Sequence, residues 1–248
     1  MTRINALYAN VGGRGLDAVA FCDACLKDLD VTWTVDAGSL ERLKAIEGPC
    51  VVVANHPLGG REALVLHCLL GQVRQDYRIV ANHYLGGLWE TRSKLILVDP
   101  YETRESAKAN VLALRDCLRF MQQGGLLGLF PAGEVSYWQA DEGRVADKPW
   151  ASQSVRMILK SKATVVPLRF VGVNGALFNA VARWATPWKA GLLAQQLAYG
   201  PTRHVEAILG RPIPFTDLPF QDDPSRLAAW LREQVYALPT PATGKVTP

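Results

Sequence analysis

Val51-Val-Val-Ala-Asn-His-Pro-Leu-Gly-Gly-Arg-Glu62 is the stretch on which the reading of this chain turns. Its first four residues are apolar and predict a buried strand. An Asn, a His, a pattern-breaking Pro and two glycines follow, and a carboxylate stands six positions after the histidine. A strand that stops and delivers a His into a Gly-rich turn suits an α/β enzyme, whose working groups sit on loops at the carboxyl ends of strands. His56 is therefore the candidate general base. Glu62, just past the turn, is placed to orient the imidazole through its far nitrogen. Asn55, Gly59 and Gly60 are the candidate substrate contacts of this turn, the glycines because backbone without a Cβ lets a ligand come close. The competing reading is a buried histidine at a strand end beside an unrelated surface carboxylate.

A second segment has the same construction. Gly125-Leu-Leu-Gly-Leu-Phe130 predicts another apolar strand, and it ends in Pro131-Ala-Gly-Glu-Val-Ser136. Two strands that each end in a polar loop bearing Gly and Pro predict one shared crevice at the carboxyl edge of a sheet. Together these residues resemble the lysophospholipid acyltransferase superfamily, the phosphate acyltransferase domain. That family carries a His-x4-Asp motif and a Phe-Pro-Glu-Gly motif. The forms here are closer to its haemolysin-like branch, which includes ornithine-lipid acyltransferases: His-Pro-x-Gly-Gly-x-Asp/Glu and Phe-Pro-Ala-Gly-Glu-x-Ser. The resemblance covers residues 51–215 and takes in Val165-Val-Pro167 and Ile208-Leu-Gly-Arg-Pro-Ile213. Five residues separate His56 from Glu62, not four, and position 61 is Arg. The phosphate-binding Arg of glycerophosphate acyltransferases has no counterpart in Leu97-Val-Asp-Pro-Tyr-Glu-Thr-Arg104 unless Arg104 substitutes from the following helix.

The resemblance implies an O-acyltransferase in which His56 is the general base and Glu62 holds its tautomer. An acyl chain moves from acyl-CoA or acyl carrier protein to the hydroxyl of a lyso-lipid, of lyso-ornithine lipid or lysophospholipid type. The acceptor oxygen attacks the thioester directly, with no covalent acyl-enzyme. Removing the hydroxyl proton suits an imidazole, which ordinarily titrates near neutrality. By the same likeness Pro131, Gly133, Glu134 and Ser136 shape the acceptor pocket. Glu134 either pairs with a cationic headgroup amine or is a carboxylate at a helix start. Backbone N–H groups at Gly59, Gly60 or Gly133 are the candidate oxyanion donors. The fatty chain calls for an apolar groove beside His56. Two other readings keep the fold: a thioesterase, with water as acceptor, and a catalytically inert lipid-binding protein.

Strands alternate with helices along the chain. Helices are predicted at Leu16–Asp28, Leu40–Ile46, Glu62–Gln72, Ala107–Gln122, Ser152–Lys160 and Pro224–Leu238, with helical pieces between Phe178 and Gln196. Strands are predicted at Val31–Val35, Val51–Ala54, Tyr77–Ala81, Leu95–Val98, Leu126–Phe130, Thr164–Val173 and Val205–Leu209. This alternation predicts an α/β sandwich with a largely parallel central sheet flanked by helices. The 248 residues, with no evident linker, are expected to form one domain over 1–238 and a mobile tail over 239–248.

Composition narrows the function classes. No run reaches the roughly 18 uncharged apolar residues of a membrane span, and Met1-Thr-Arg-Ile-Asn5 lacks the apolar block of a signal peptide. Cysteines at 22, 25, 50, 68 and 117 suit a reducing compartment. Cys22 and Cys25 have no partner pair downstream for zinc, so no metal or cofactor is expected. The net charge is only +4, yet Lys148 through Val205 holds no Asp or Glu. At the chain's average content about five acids are expected there. The stretch carries Lys148, Arg156, Lys160, Lys162, Arg169, Arg183, Lys189 and Arg203, interleaved with Trp150, Trp184 and Trp188. Basic residues among Trp and Leu suit peripheral contact with an anionic membrane, on the inner face of the cell membrane of the cytoplasm. The alternatives are a solvated face that lacks acids, or a surface for coenzyme A or acyl carrier protein. Nucleic acid is not the expected partner, since zinc-finger spacing and aromatic RNA-binding signatures are missing. His67 and Cys68 are helix neighbours that diverge and form no nucleophile–base pair. His83 is a candidate for the cleft wall, and His204 is expected at the surface. No Gly-x-Ser-x-Gly elbow is present, which argues against an α/β-hydrolase.

Overall fold

The computed structural model describes residues 3–99, 104–182 and 189–240. The first part runs α1 (Arg3–Val11), α2 (Ala18–Asp28), β1 (Thr32–Val35), α3 (Ala37–Lys44), β2 (Cys50–Ala54), α4 (Arg61–Val73) and β3 (Arg78–Asn82). After a short 3-10 turn come α5 (Trp89–Arg92), β4 (Leu95–Val98), α6 (Arg104–Gln122) and β5 (Leu126–Leu129). A hairpin of β6 (Tyr137–Gln139) and β7 (Arg144–Ala146) leads to α7 (Ser152–Ser161) and β8 (Thr164–Val171). The rest comprises α8 (Ala176–Val181), α9 (Lys189–Tyr199), β9 (His204–Leu209) and α10 (Pro224–Ala237).

Seven strands form one sheet in the order β1-β9-β8-β2-β5-β3-β4. Five of them, from β8 to β4, are parallel to their neighbours. β9 pairs antiparallel with β8 and parallel with β1, so the last two strands run the other way. The expected α/β sandwich is what forms. β2 shows why its sequence is apolar throughout: every residue is buried, on both faces of the sheet. Val52 and Ala54 enter one core with α1, α2 and α4, while Val51 and Val53 enter a second with α6, α7 and α10. This alternation is the period of two of a strand. Full burial of such side chains contributes roughly 1.5–3 kcal/mol each.

Local signals end the helices where they should. Asp17 accepts the Ala20 N–H, Asp36 that of Ser39, and Asp223 those of Ser225 and Arg226. Such caps answer N–H groups that a first turn leaves unpaired. Gly124, at φ +84°, follows α6 in the left-handed conformation that closes a helix. The sequence patterns above do not predict α1, α5 or the β6–β7 hairpin. The two hairpin strands are three residues each, too short to show a period. The helical pieces between Phe178 and Gln196 are α8 and α9; Arg183, Trp184 and Trp188 lie outside the described residues, as do tail residues 241–248.

Candidate active site

β2 and β5 are central neighbours, with Val53 in register with Leu129. Both apolar runs therefore release their polar loops at the same carboxyl edge. Ser136 N–H donates to the His56 carbonyl at 2.8 Å, joining the two loops. The His56 ring stacks on Phe130, with centroids 4.1 Å apart and planes at 21°.

His56 and Glu62 meet as expected. Nδ1 lies 3.0 Å from Glu62 Oε1, and the histidine side chain is 16% exposed against 0% for the glutamate. The same Oε1 accepts the N–H groups of Leu58 at 2.6 Å and Gly59 at 2.8 Å. An oxygen that accepts from two amides leaves Nδ1 as the donor, so Nε2 is the ring nitrogen free to take a proton. Glu62 stands in the first turn of α4, where the helix's positive end favours a carboxylate. Its Oε2 is buried and has no hydrogen-bond partner among the described residues.

The glycines of the turn have distinct roles. Gly59 adopts φ +80°, and a Cβ there would stand 2.8 Å from Leu193 Cδ2 and 3.1 Å from Val135 Cγ2. A Cβ on Gly60 would stand 2.8 Å from Leu197 Cδ1. The turn is thus pressed under α9. Val135 and Phe178 are buried there, with Leu192 and Leu193 packed against them as a small apolar cluster. The N–H groups proposed from sequence as oxyanion donors are already engaged: Gly59 to Glu62, Gly60 to the Leu58 carbonyl at 3.1 Å, and Gly133 to that of Phe130 at 3.0 Å.

The other sequence candidates divide. Asn55 is buried with its amide turned onto β8, donating to the Phe170 carbonyl at 3.0 Å and accepting its N–H at 2.7 Å. Pro131 is buried, and its carbonyl accepts from Ala151 N–H and the Ser154 hydroxyl, both at 3.3 Å. Gly133 is exposed at φ +70°. Glu134 starts no helix; it sits in a turn and pairs with Lys148 at 2.8 Å. Ser136 is buried, and its hydroxyl donates to Asp147 Oδ1. Arg104 opens α6, and its side chain lies outside the described residues.

Two residues of this region have structural roles that the sequence does not assign. Arg61, the departure in the first motif, is buried and donates to the carbonyls of Leu197, Gly200 and Thr202, closing the end of α9. Burial pushes its guanidinium down to about 10. Asp147 is fully buried and accepts the His56 N–H at 3.1 Å across 91 residues of sequence. Its one sequence signal is position: it is the last acid before the acid-free stretch, with Trp150 three residues on.

The remaining histidines stand apart from this pair. His67 is buried against Tyr77 Oη at 2.9 Å, and His83 faces Asp99 at 4.0 Å beyond the end of β3. His204 is exposed between the Thr32 and Thr34 hydroxyls. All five thiols are free and buried; burial pushes Cys25, Cys50, Cys68 and Cys117 up to about 12 and Cys22 well above its ordinary range. Such thiols are poor nucleophiles. Among the described residues no group of His, Cys, Asp and Glu is arranged to hold a metal. No described helix is long and apolar enough to cross a membrane.

A family model described as Acyltransferase matches residues 8–222. A lyso-glycine lipid O-acyltransferase of Phocaeicola vulgatus is 27% identical over 231 residues, covering 89% of this chain and 78% of its own length. Its namesake in Bacteroides thetaiotaomicron is 25% identical over 232 residues, covering 89% and 80%. In fold, the chain is similar to the crystal structure of the 1-acyl-sn-glycerophosphate acyltransferase PlsC of Thermotoga maritima. The TM-score is 0.52 at 14% identity, over 97% of this chain and 85% of that one. The motifs, the sheet that presents them and the family match agree: this chain belongs to the acyltransferase family.

Proposed function

We propose that the protein transfers a fatty acyl group from a thioester, acyl-CoA or acyl carrier protein, to the hydroxyl of a lyso-lipid with an amino-acid headgroup. The observation that carries this reading is the His56–Glu62 pair at 3.0 Å, at a sheet edge shared by both family motifs. The acceptor hydroxyl gives its proton to His56 Nε2 as its oxygen bonds to the thioester carbon. Collapse of the tetrahedral intermediate breaks the carbon–sulfur bond, and the imidazolium returns the proton to the departing thiolate. Glu62 holds the ring in the tautomer this requires and stabilises the imidazolium. The names of the two relatives support the acceptor class. Burial of the acyl chain's methylenes would contribute about 0.8 kcal/mol each to donor binding.

Thiol release from palmitoyl-CoA and palmitoyl carrier protein, with and without lyso-glycine, lyso-ornithine and lyso-phospholipids, tests the reading. One lyso-lipid should stimulate release and become acylated. His56→Ala should lower that rate by about 10³-fold or more while leaving the melting temperature unchanged within a few degrees. Release that ignores every lipid and accumulates free fatty acid identifies a thioesterase instead. No release with any pair rejects the transfer reading for these acceptors.

A further inference from the structure

We propose that Asp147 is a positioning residue for the His56 imidazole, fastening the histidine turn to the second motif loop through one carboxylate oxygen. The inference rests on the transfer reading above. Asp147 follows β7 and is fully buried. Its Oδ1 accepts the His56 N–H at 3.1 Å and also the Ser136 hydroxyl. Ser136 N–H closes the circuit on the His56 carbonyl at 2.8 Å. Both backbone groups of the base are thereby held by one small network.

The turn offers few other points of attachment. Pro57 has no N–H, and the next two donors, Leu58 and Gly59, are bound by Glu62 Oε1. Two carboxylates therefore hold the turn: Glu62 from within, and Asp147 from across the crevice. Asp147 is itself braced. Its Oδ2 accepts Trp150 Nε1–H at 2.8 Å, its N–H donates to Tyr236 Oη at 2.8 Å, and its carbonyl accepts Arg232 at 2.6 Å. The last two partners belong to α10, so the base is referenced to a helix on the far side of the sheet. Burial pushes the Asp147 carboxyl above its ordinary range, against the pull of the Ser136, Trp150 and His56 bonds. A buried carboxylate is a costly way to fill space, and this one accepts from both motif loops. A shift of about 1 Å in a reacting group lowers a rate by roughly 10²-fold, so the loss is expected in turnover.

Asp147→Ala tests this, because it removes the oxygen that accepts both the His56 N–H and the Ser136 hydroxyl. The variant should lose about 100-fold in kcat with KM within about 3-fold, its circular dichroism still native at the assay temperature. The second readout needs no substrate. At a pH where the ring is neutral, the ¹⁵N shifts of His56 should report the Nδ1–H tautomer in the wild type and a mixture in the variant. A role confined to stability would not move that equilibrium. An unchanged tautomer in folded Asp147→Ala overturns the proposal, whatever the rate. If no acyl transfer is found with any acceptor, the tautomer still decides the role of Asp147, so the two failures are separable. Should the variant not fold, amide exchange in the wild type decides: a His56 N–H as protected as those of β2 supports the link, and one that exchanges like an exposed loop overturns it.

Discussion

On the proposed mechanism, a histidine serves as base through what surrounds it. His56 has a carboxylate at Nδ1, an aromatic ring beneath it and a little exposure at the crevice. His67 has the same side chain and the opposite environment. It is buried against Tyr77, and burial, with the Lys94 charge, pushes it from 6.5 down to about 4. The consequence for stability has a definite sign. As pH falls below 6.5 the unfolded chain binds a proton at His67 that the folded protein refuses until about pH 4. Stability is therefore complete above that window and declines through it, by up to about 1.4 kcal/mol per pH unit from this group. The urea midpoint should fall between pH 7 and pH 5 in the wild type and less steeply in His67→Gln, which can still bond Tyr77. Equal slopes in the two proteins would refute this assignment.

Between residue and fold, the decisive element is the turn from β2 into α4, seated beneath α9. Gly59 and Gly60 look alike in sequence, but their surroundings differ in kind. Gly59 has a positive φ, and a Cβ there would meet Leu193 and Val135; Gly60 has an ordinary φ, and a Cβ there would come nearest to the end of the Leu197 side chain. Gly59→Ala should cost about 1–3 kcal/mol in stability, and Leu193→Ala should relieve only part of it, since the backbone strain persists. Gly60→Ala should cost less than about 1 kcal/mol, because a leucine methyl can rotate aside. Denaturant melts of the three single variants and the Gly59→Ala/Leu193→Ala pair check the order. Arg61 adds the opposite tie, reaching from the start of α4 to the carbonyls that end α9. Turn and covering helix are thus one mechanical unit.

At the scale of the molecule, charge is unevenly divided, and the structure shows where part of the acid-free stretch goes. Trp150 and Phe178 are buried, Arg169 donates to the carbonyls of Tyr236 and Leu238, and Arg203 to that of Leu29. These residues hold the fold together. Arg156, Lys160 and Lys162 of the same stretch are exposed on and just after α7. We propose that the membrane contact expected from composition rests on fewer residues of this stretch, and by sequence alone Arg183 and Lys189 remain among the candidates. Reversing both charges should weaken binding to vesicles rich in anionic lipid by at least roughly 30-fold at low salt, at about 1 kcal/mol for each charge removed. The difference should shrink near 0.5 M salt, on the order of what screening dictates. Sedimentation with vesicles measures it, and binding indifferent to salt and to both charges rejects the electrostatic contribution.

The sheet, its two motif loops and the His56–Glu62 pair are legible in the amino-acid order. Strand runs buried on both faces are continuous in sequence, and a histidine and carboxylate six residues apart across one tight turn are bound to be neighbours. Local caps and breakers placed most helices for the same reason: their physics spans a few residues. The tertiary structure alone decided that β9 and β1 reverse, that Asn55 faces β8, and that Arg61 closes α9. It alone brought Asp147 to the His56 amide across 91 residues. Those facts depend on which buried polar groups find partners once the chain has packed, and sequence spacing carries no record of contacts made across the sheet.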